Sequence, residues 1–363
     1  MKHRCFTHLL VVERKMMITL NSSLKEQLTK HGYLVVKGLL DDQLDLEPVR
    51  QEYKKVLDTL ASEWYSQKKI ACTYEDLTLG KQLCSILNDY PEAPYYERMD
   101  ISLPKMTAVS AESIKAAGYG AIGEDSFMHT GPAIFSLLTN PKLLDTVEQI
   151  IGTEIYSNPV QHVRIKPPIK NISENLKKRS LGSGLVTGTQ WHQDQGVITS
   201  DADDSEILTV WIPMTSATTE NGCLVVAKNS HNNGLVLHCT KTKERPRWKQ
   251  IEIPGEYVTE DKMALEMEPG DVLFLTKLTK HCSLENYSDD IRWSFDLRYQ
   301  PIGQPTGRAH FPGFVARSKN DPDNALKDHK LWANMWQDAK YKLIEKNKSE
   351  YFNRWDPEDI RCA

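Results

Sequence analysis

The stretch IRWSFDLRY, residues 291–299, alternates apolar and polar side chains along its whole length. Its polar positions are Arg292, Ser294, Asp296 and Arg298, and the positions between them are apolar or aromatic. Because successive strand residues point to opposite faces, the pattern predicts one β-strand with an apolar face and a charged face. Two interpretations stay open: the charged face lies in water, which is the commoner arrangement, or it lines the mouth of a β-barrel.

Further β-rich runs precede this strand, and turn sequences such as Pro-Gly-Asp at 269–271 separate them. These runs lie at residues 155–165, 207–212, 223–227 and 272–275. Helical patterns do not alternate with the runs, so the sequence predicts a β-sandwich or barrel rather than a parallel α/β sheet. Helical patterns instead flank the β-rich region, at residues 44–67, 133–152 and 324–347.

The composition is that of an ordinary globular protein and argues against several functions. The chain has 363 residues and a formal net charge of −4, which disfavours a general nucleic-acid or anionic-membrane binder. Its apolar runs are shorter than the roughly 18 residues that a membrane helix needs. The seven cysteines are odd in number and lack a Cys-x-x-Cys pair, which indicates a reducing compartment. We therefore expect a cytoplasmic protein.

The chain divides by its patterns into a leader and one domain. A short apolar run near the N-terminus lacks a cleavage site, and we expect residues 1–17 to be a disordered leader. Residues 18–363 are expected to form a single domain. Within it we predict a helical N-terminal part (18–152), a β core at about 153–300 and a C-terminal helical extension (301–363).

The sequence Trp-His-Gln-Asp at 191–194 sets a histidine and a carboxylate two residues apart. In an extended strand, His192 and Asp194 point to the same face and can reach one point in space. Imidazole nitrogen and carboxylate oxygen are two of the three ligands in the facial arrangement that holds non-haem Fe(II). His281 is the candidate third ligand. A zinc hydrolase could also use these residues, but it would leave the role of Arg292 unexplained.

Around these residues, the sequence resembles the phytanoyl-CoA dioxygenase family of Fe(II)- and 2-oxoglutarate-dependent oxygenases. The similarity covers about residues 18–300, and Arg292 follows His281 by eleven residues, as the family pattern requires. Further similar segments are 32–38, 140–152, 166–168, 208–213, 220–231 and 268–271. The resemblance implies a mainly β fold with flanking helices, whose core is a double-stranded β-helix, the jelly roll of cupin-like proteins.

The resemblance also implies roles for seven side chains and a reaction. The implied ligands of Fe(II) are His192, Asp194 and His281, and the implied contacts of 2-oxoglutarate are Arg292, Ser283, Trp211 and His162. The reaction would consume O2, convert 2-oxoglutarate to succinate and CO2, and oxidise a substrate C–H bond. Ascorbate is expected to stimulate it. Since Asp194 would occupy the position that a halide needs, halogenation is not expected.

The substrate is predicted to be a small molecule, and an anionic, carboxylate-bearing metabolite is favoured. This preference rests on Arg298 beside the proposed pocket, and on Lys177 and Arg179 in a basic segment that is either a surface loop or a lid. Hydroxylation, desaturation and oxidative ring closure all stay open, and a role in biosynthesis fits each. The alternatives are an acyl-CoA hydroxylase of the same family and a non-catalytic cupin-like binding protein. The oligomeric state is left open.

Overall fold

The computed structural model describes residues 23–102, 124, 126–179, 186–239, 251–345, 354–356 and 359–362. The predicted leader, residues 1–17, lies outside these ranges. The described helices are α1 (Leu24–His31), α2 (Glu47–Ser66), α3 (Leu79–Asp89), α4 (Tyr95–Met99), α5 (Pro132–Leu138), α6 (Pro141–Ile151), α7 (Glu174–Arg179) and α8 (His329–Glu345). The described strands are β1 (Tyr33–Val36), β2 (Ile155–Ser157), β3 (His162–Lys166), β4 (Leu208–Pro213), β5 (Leu224–Ala227), β6 (Lys262–Leu265), β7 (Val272–Thr276), β8 (His281–Ser283), β9 (Arg292–Pro301) and β10 (Phe314–Arg317).

The strands form two antiparallel sheets that share one apolar core. The large sheet has the order β1-β7-β4-β9-β2-β10, with β3 paired to β9 beside β2, and the small sheet has the order β6-β5-β8. Tyr33, Trp211 and Leu273 of the large sheet pack in one cluster with Leu224 and Leu265 of the small sheet. Two packed antiparallel sheets with helices outside them are the mainly β, cupin-like jelly roll that the sequence predicts.

Strand β9 lies in the middle of the large sheet, and its apolar and charged side chains point to opposite faces of the sheet. It pairs with β4 along one edge and with β3 and β2 along the other. Trp293 and Phe295 join the apolar core beneath the helices, where both rings contact Tyr53 of α2 at centroid distances of 5.2 and 5.7 Å. The opposite face holds Arg292 and Arg298, which are both buried. The expectation that this charged face lies in water is therefore wrong, and the alternative of a charged pocket wall is correct.

The helices follow the predicted patterns with one interruption. The pattern at 133–152 corresponds to two helices, α5 and α6, rather than one. Asn140 caps α6 by accepting hydrogen bonds from the backbone of Lys142 and Leu143, and Pro141 occupies its first turn. A proline is tolerated only in that first turn, so the second helix must begin there. No helix in the described ranges is long and apolar enough to cross a membrane.

Two observations depart from the predicted organisation. Strand β10 joins the large sheet from the segment that the sequence assigns to the C-terminal helical extension, whereas β1 is the strand that the sequence predicts at residues 33–36. Cys239 and Cys362 form a disulfide across 123 residues, whereas the cysteine count indicates a reducing compartment. Disulfides persist mainly in oxidising compartments. The cysteines therefore do not support the cytoplasmic location, which stays a prediction.

Candidate metal and cosubstrate site

His192, Asp194 and His281 meet in the interior of the jelly roll. Their candidate ligand atoms all lie within 4.8 Å of one another, and all three residues are buried. His192 precedes a short 3-10 turn, while His281 begins β8. Their backbones exchange two hydrogen bonds, of 3.0 and 2.9 Å, which hold the imidazole centroids 4.2 Å apart. Among the described residues, no other group of three histidine, cysteine or acidic side chains gathers in this way.

Backbone carbonyls fix the tautomers of both histidines. Nδ1 of His192 lies 2.8 Å from the carbonyl oxygen of Gln190, and Nδ1 of His281 lies 3.0 Å from that of Thr279. A carbonyl oxygen only accepts hydrogen bonds, so each Nδ1 carries the proton and each Nε2 keeps its lone pair for a metal. Burial, together with the neighbouring His281, lowers the pKa of His192 to about 3. The ring is therefore neutral at physiological pH, as a metal ligand must be.

Asp194 is held by two side chains of the large sheet. It accepts hydrogen bonds from Nη2 of Arg298 and from the hydroxyl of Thr209. Burial alone would raise the pKa of Asp194, but Arg298 and the two histidines more than offset this and hold it below its ordinary value. The other terminal nitrogen of Arg298 donates to the carbonyl of Val160 at 2.7 Å. The sequence predicts Arg298 at the substrate; the structure instead places both of its terminal nitrogens on protein acceptors, one of them a metal ligand.

Gln193, between the two ligands, fastens their segment to the surrounding loops. Its backbone N–H donates to Nε2 of His238 at 2.9 Å. Its side-chain amide donates to the carbonyls of Gly234 and Leu278, both at 2.7 Å, and accepts from the N–H of Val236. All polar atoms of this buried side chain are hydrogen-bonded. These bonds hold the segment 192–194, which carries two of the candidate ligands, in a fixed position.

A C-terminal strap, residues 354–356 and 359–362, packs on the same segment. Trp355 stacks on the ring of His238 at 5.1 Å and donates from Nε1 to the carbonyl of Gly196 at 2.7 Å. Arg354 forms a bidentate ion pair with Asp203. The disulfide of Cys362 then ties the end of the strap to the loop that carries His238. No local sequence pattern indicates a role for this strap, because its partners and its disulfide link residues that are far apart in the chain.

Two buried cations lie side by side near the metal ligands. Lys166 of β3 pairs in register with Arg292 of β9. Nζ of Lys166 donates to the hydroxyls of Ser283 and Thr189, and Nη1 of Arg292 donates to Ser294 at 2.6 Å. Within the described ranges, neither cation contacts a carboxylate, and Nε of Arg292 has no hydrogen-bond partner. Lys166, which no local sequence pattern singles out, is thereby added to the candidate site.

Burial lowers the pKa of both cations, as expected for a site that would favour a bound anion. Burial lowers the pKa of Arg292 to about 10. Burial, with the charge of Arg292 added to it, also lowers the pKa of Lys166 well below its ordinary value. Two buried positive charges without a counter-ion are costly. A carboxylate ligand between them would remove that cost and would satisfy the free Nε of Arg292.

The remaining predicted residues divide between the pocket and the surface. Trp211 lies on the inner face of β4, and the guanidinium of Arg292 stands 5.8 Å from its ring centroid. His162 lies on the same face in β3, with Nδ1 3.0 Å from Asp100. Lys177 pairs with a glutamate of its own helix, α7, at 2.8 Å. The side chain of Arg179 lies outside the described part of the chain.

The sequence profile of the phytanoyl-CoA dioxygenase (PhyH) family matches residues 28–294, well over half of the chain. The chain belongs to this family. A probable phytanoyl-CoA dioxygenase of Caenorhabditis elegans is 25% identical over 278 residues, which are 74% of this chain and 72% of that protein. The 1-deoxypentalenic acid 11-beta-hydroxylase of Streptomyces arenae is 27% identical over 202 residues, which are 54% of this chain and 66% of that enzyme.

Solved structures of similar fold include a non-haem, α-ketoglutarate-dependent carbocyclase, SnoK, from nogalamycin biosynthesis. It is 15% identical, with a TM-score of 0.44 over 85% of this chain and 94% of that one. Family membership and the His-Asp-His triad together make this phytanoyl-CoA dioxygenase family member a non-haem iron oxygenase that depends on 2-oxoglutarate.

Proposed function

We propose that this chain oxidises a C–H bond of a small molecule at an Fe(II) held by His192, Asp194 and His281. The observation that supports this most strongly is the presence of two features among buried residues of the two packed sheets. One is a triad whose imidazoles both keep Nε2 for a metal. The other is the cation pair Lys166–Arg292, which no carboxylate of the described residues contacts.

The cation pair would receive the distal carboxylate of 2-oxoglutarate. The arginine fork suits bidentate pairing with a carboxylate, and the lysine adds a point charge. Ser283 lies within hydrogen-bond distance of Lys166 and would assist. The predicted wall residues Trp211 and His162 lie on the same inner face of the large sheet as Arg292. The opposite end of 2-oxoglutarate would then extend toward the triad.

The residues of the chain prepare the site rather than perform the oxidation. Bound Fe(II) supplies the activation of O2 that couples the decarboxylation of 2-oxoglutarate to the oxidation of the substrate. Arg298 and Thr209 hold Asp194 in its ionised form, ready to bind the metal. Burial of the ligands excludes bulk water from the reacting groups. Ascorbate would keep the iron reduced between turnovers.

Hydroxylation is the outcome that we favour. The Streptomyces relative is named as a hydroxylase, and another relative, from Bordetella bronchiseptica, is named an ectoine dioxygenase. Both names denote oxidation of small molecules, which agrees with a small-molecule substrate here. An acyl-CoA substrate is the second candidate, because relatives named phytanoyl-CoA dioxygenase match 74% of this chain. A purely binding protein would not need a buried triad together with a carboxylate site.

The decisive test is succinate formation by the purified chain with Fe(II), 2-oxoglutarate, O2 and ascorbate. We expect slow succinate release without substrate and faster release with it. Protein loaded with zinc is the control, because Zn²⁺ accepts similar ligands but has no redox chemistry. Equal succinate release from the zinc and iron forms, or hydrolytic activity confined to the zinc form, would overturn the proposal.

A further inference from the structure

Arg164 and Asp296 form a partly exposed charged pair on the inner face of the large sheet. In β3, β4 and β9, every residue is buried except Arg164, Asp296 and the terminal Pro301. The side chains of Arg164 and Asp296 keep 15% and 18% of their surface exposed. Among the polar residues of these three strands, this ion pair alone is not fully buried.

The pair also keeps free hydrogen-bonding atoms. Arg164 donates from Nε to Oδ2 of Asp296 at 2.8 Å. Within the described residues, the two terminal nitrogens of Arg164 and Oδ1 of Asp296 have no hydrogen-bond partner. Burial alone would raise the pKa of Asp296, but Arg164 lowers it below its ordinary value. The pair thus offers donors beside an acceptor, with no net charge.

Asp296 lies between Arg292 and Arg298 on one face of β9, so the pair adjoins the proposed cosubstrate site. Asp296 lies two residues before Arg298 on the same strand face, about 7 Å along the strand. Arg298 in turn holds the metal ligand Asp194. In register, Asp296 lies between Trp211 of β4 and His162 of β3. A substrate group bound at the pair would therefore lie on the strand face that also carries Arg298, the partner of Asp194.

In the described strands β3 and β9, each cation of the inner face already has a protein partner or a proposed ligand. These cations are Arg164, Lys166, Arg292 and Arg298. Arg298 is neutralised by Asp194 and Arg164 by Asp296. Lys166 and Arg292 are taken by the distal carboxylate of 2-oxoglutarate under the proposed function. A second carboxylate at Arg164 would face the charge of Asp296 at close range, which is unfavourable in a poorly hydrated cavity.

We propose that Arg164 and Asp296 form the substrate-recognition site and select an uncharged polar group, such as a carboxamide, a lactam or a vicinal diol. Such a group accepts a hydrogen bond from Arg164 and donates one to Asp296. The inference rests on the proposed function and replaces the preference for an anionic substrate. That preference depended on Arg298, which the structure places on Asp194, and on a basic segment whose Lys177 pairs with a glutamate of its own helix.

The test uses a panel of small molecules built on three hydrocarbon scaffolds: an alkyl chain, a monocycle and a bicycle. Each scaffold is tested in three forms, with a primary carboxamide, a vicinal diol or a free carboxylate. Substrate-stimulated succinate release is measured for the full-length Fe(II) protein. We expect the carboxamide or diol member of at least one scaffold to exceed its carboxylate by about tenfold, the value of one charge-assisted hydrogen bond. In Asp296→Asn, Arg164 loses its counter-ion, so the ranking should invert toward the carboxylate. The matched control is Asp289→Asn, which removes the carboxylate of an exposed pair with Lys170 and should leave the ranking unchanged.

Three results would overturn the inference: carboxylates preferred by the parent, no carboxamide or diol that stimulates release, or a ranking that Asp296→Asn does not change. Anaerobic titration of 2-oxoglutarate into each Fe(II) variant, followed by the metal-to-ligand absorption band, separates this failure from failure of the proposed function. If the band forms normally and the ranking is wrong, only the recognition site is wrong. If no band forms in the parent, the cosubstrate site itself is wrong.

Discussion

Arg298 donates a hydrogen bond to Asp194 from the same strand whose first residue, Arg292, faces the cosubstrate pocket. Strand β9 therefore sets both the orientation of a metal ligand and the position of the carboxylate-binding arginine. Because the two arginines are six residues apart on one rigid strand, the distance between the metal and the cosubstrate is built into the sheet. Substitutions at Arg298 and at Arg292 should therefore affect different ligands, Fe(II) and 2-oxoglutarate respectively.

Replacing Arg298 with methionine should weaken Fe(II) binding by about 10- to 100-fold, as is typical when the hydrogen-bond partner of a metal ligand is removed. Asp194 would keep the hydroxyl of Thr209 but lose its counter-ion. Anaerobic competition with a chromophoric chelator measures the affinity. Arg298→Lys keeps the charge and should recover part of it. If Arg298→Met bound Fe(II) like the parent but lost substrate affinity, the original assignment of Arg298 to the substrate would be right.

Replacing Lys166 or Arg292 should affect 2-oxoglutarate instead of iron. Charge-assisted hydrogen bonds contribute about 1.5–3 kcal/mol each, so Lys166→Met and Arg292→Lys should each weaken 2-oxoglutarate binding by about one to two orders of magnitude. Arg292→Lys is included because it keeps the charge but loses the planar fork. Anaerobic titration of the Fe(II) forms measures the effect. Lys142→Met, in an exposed pair with Asp45, is the matched lysine control. Parent-like binding by both variants would remove the support for this cosubstrate site.

Replacing His281 with alanine removes one of three metal ligands. Succinate formation should fall to background, and the iron content of protein purified under anaerobic conditions should fall with it. The fold should survive, because the backbone hydrogen bonds between residues 192 and 281 do not depend on the imidazole. Circular dichroism and the thermal midpoint check the fold. Near-normal iron content with full activity would show that the third ligand lies elsewhere.

The sequence predicts the metal triad and the β9 strand, but not the side of the sheet on which the charged face lies. Period-two alternation separates two faces and does not say which of them is covered. Here both faces of β9 are covered: helices pack on Trp293 and Phe295, and the small sheet lies over the charged face. A buried charged face is costly unless its charges are paired or used. That cost makes the inner face of β9 the candidate functional surface of the sheet.

Local sequence patterns predict neither the position of Lys166 beside Arg292 nor the hydrogen bond from Arg298 to Asp194. Lys166 precedes two prolines and has no periodic signal of its own; its role emerges from the β3–β9 register, which sets it opposite Arg292. Arg298 is assigned to the substrate from its place on the strand, yet Asp194, 104 residues away, reaches it first. Contacts of this separation depend on how the sheets stack. By contrast, the break before α6 is encoded locally, in the Asn140-Pro141 pair that the single-helix prediction overlooks.

Releasing the C-terminal strap should loosen the metal-ligand segment. Removing a disulfide typically costs about 2–4 kcal/mol of the free energy of unfolding, and Cys362→Ser should lower that free energy by this amount in denaturant titrations. A local effect should accompany it. The N–H of Gln193 is bonded to His238, whose ring the strap covers through Trp355. Hydrogen exchange at Gln193 should therefore accelerate more than exchange in the core strand β7. Trp355→Ala keeps the disulfide, and it should accelerate exchange at Gln193 with a smaller loss of global stability. If Cys362→Ser accelerated exchange equally at Gln193 and in β7, the strap would stabilise the fold as a whole and not the ligand segment.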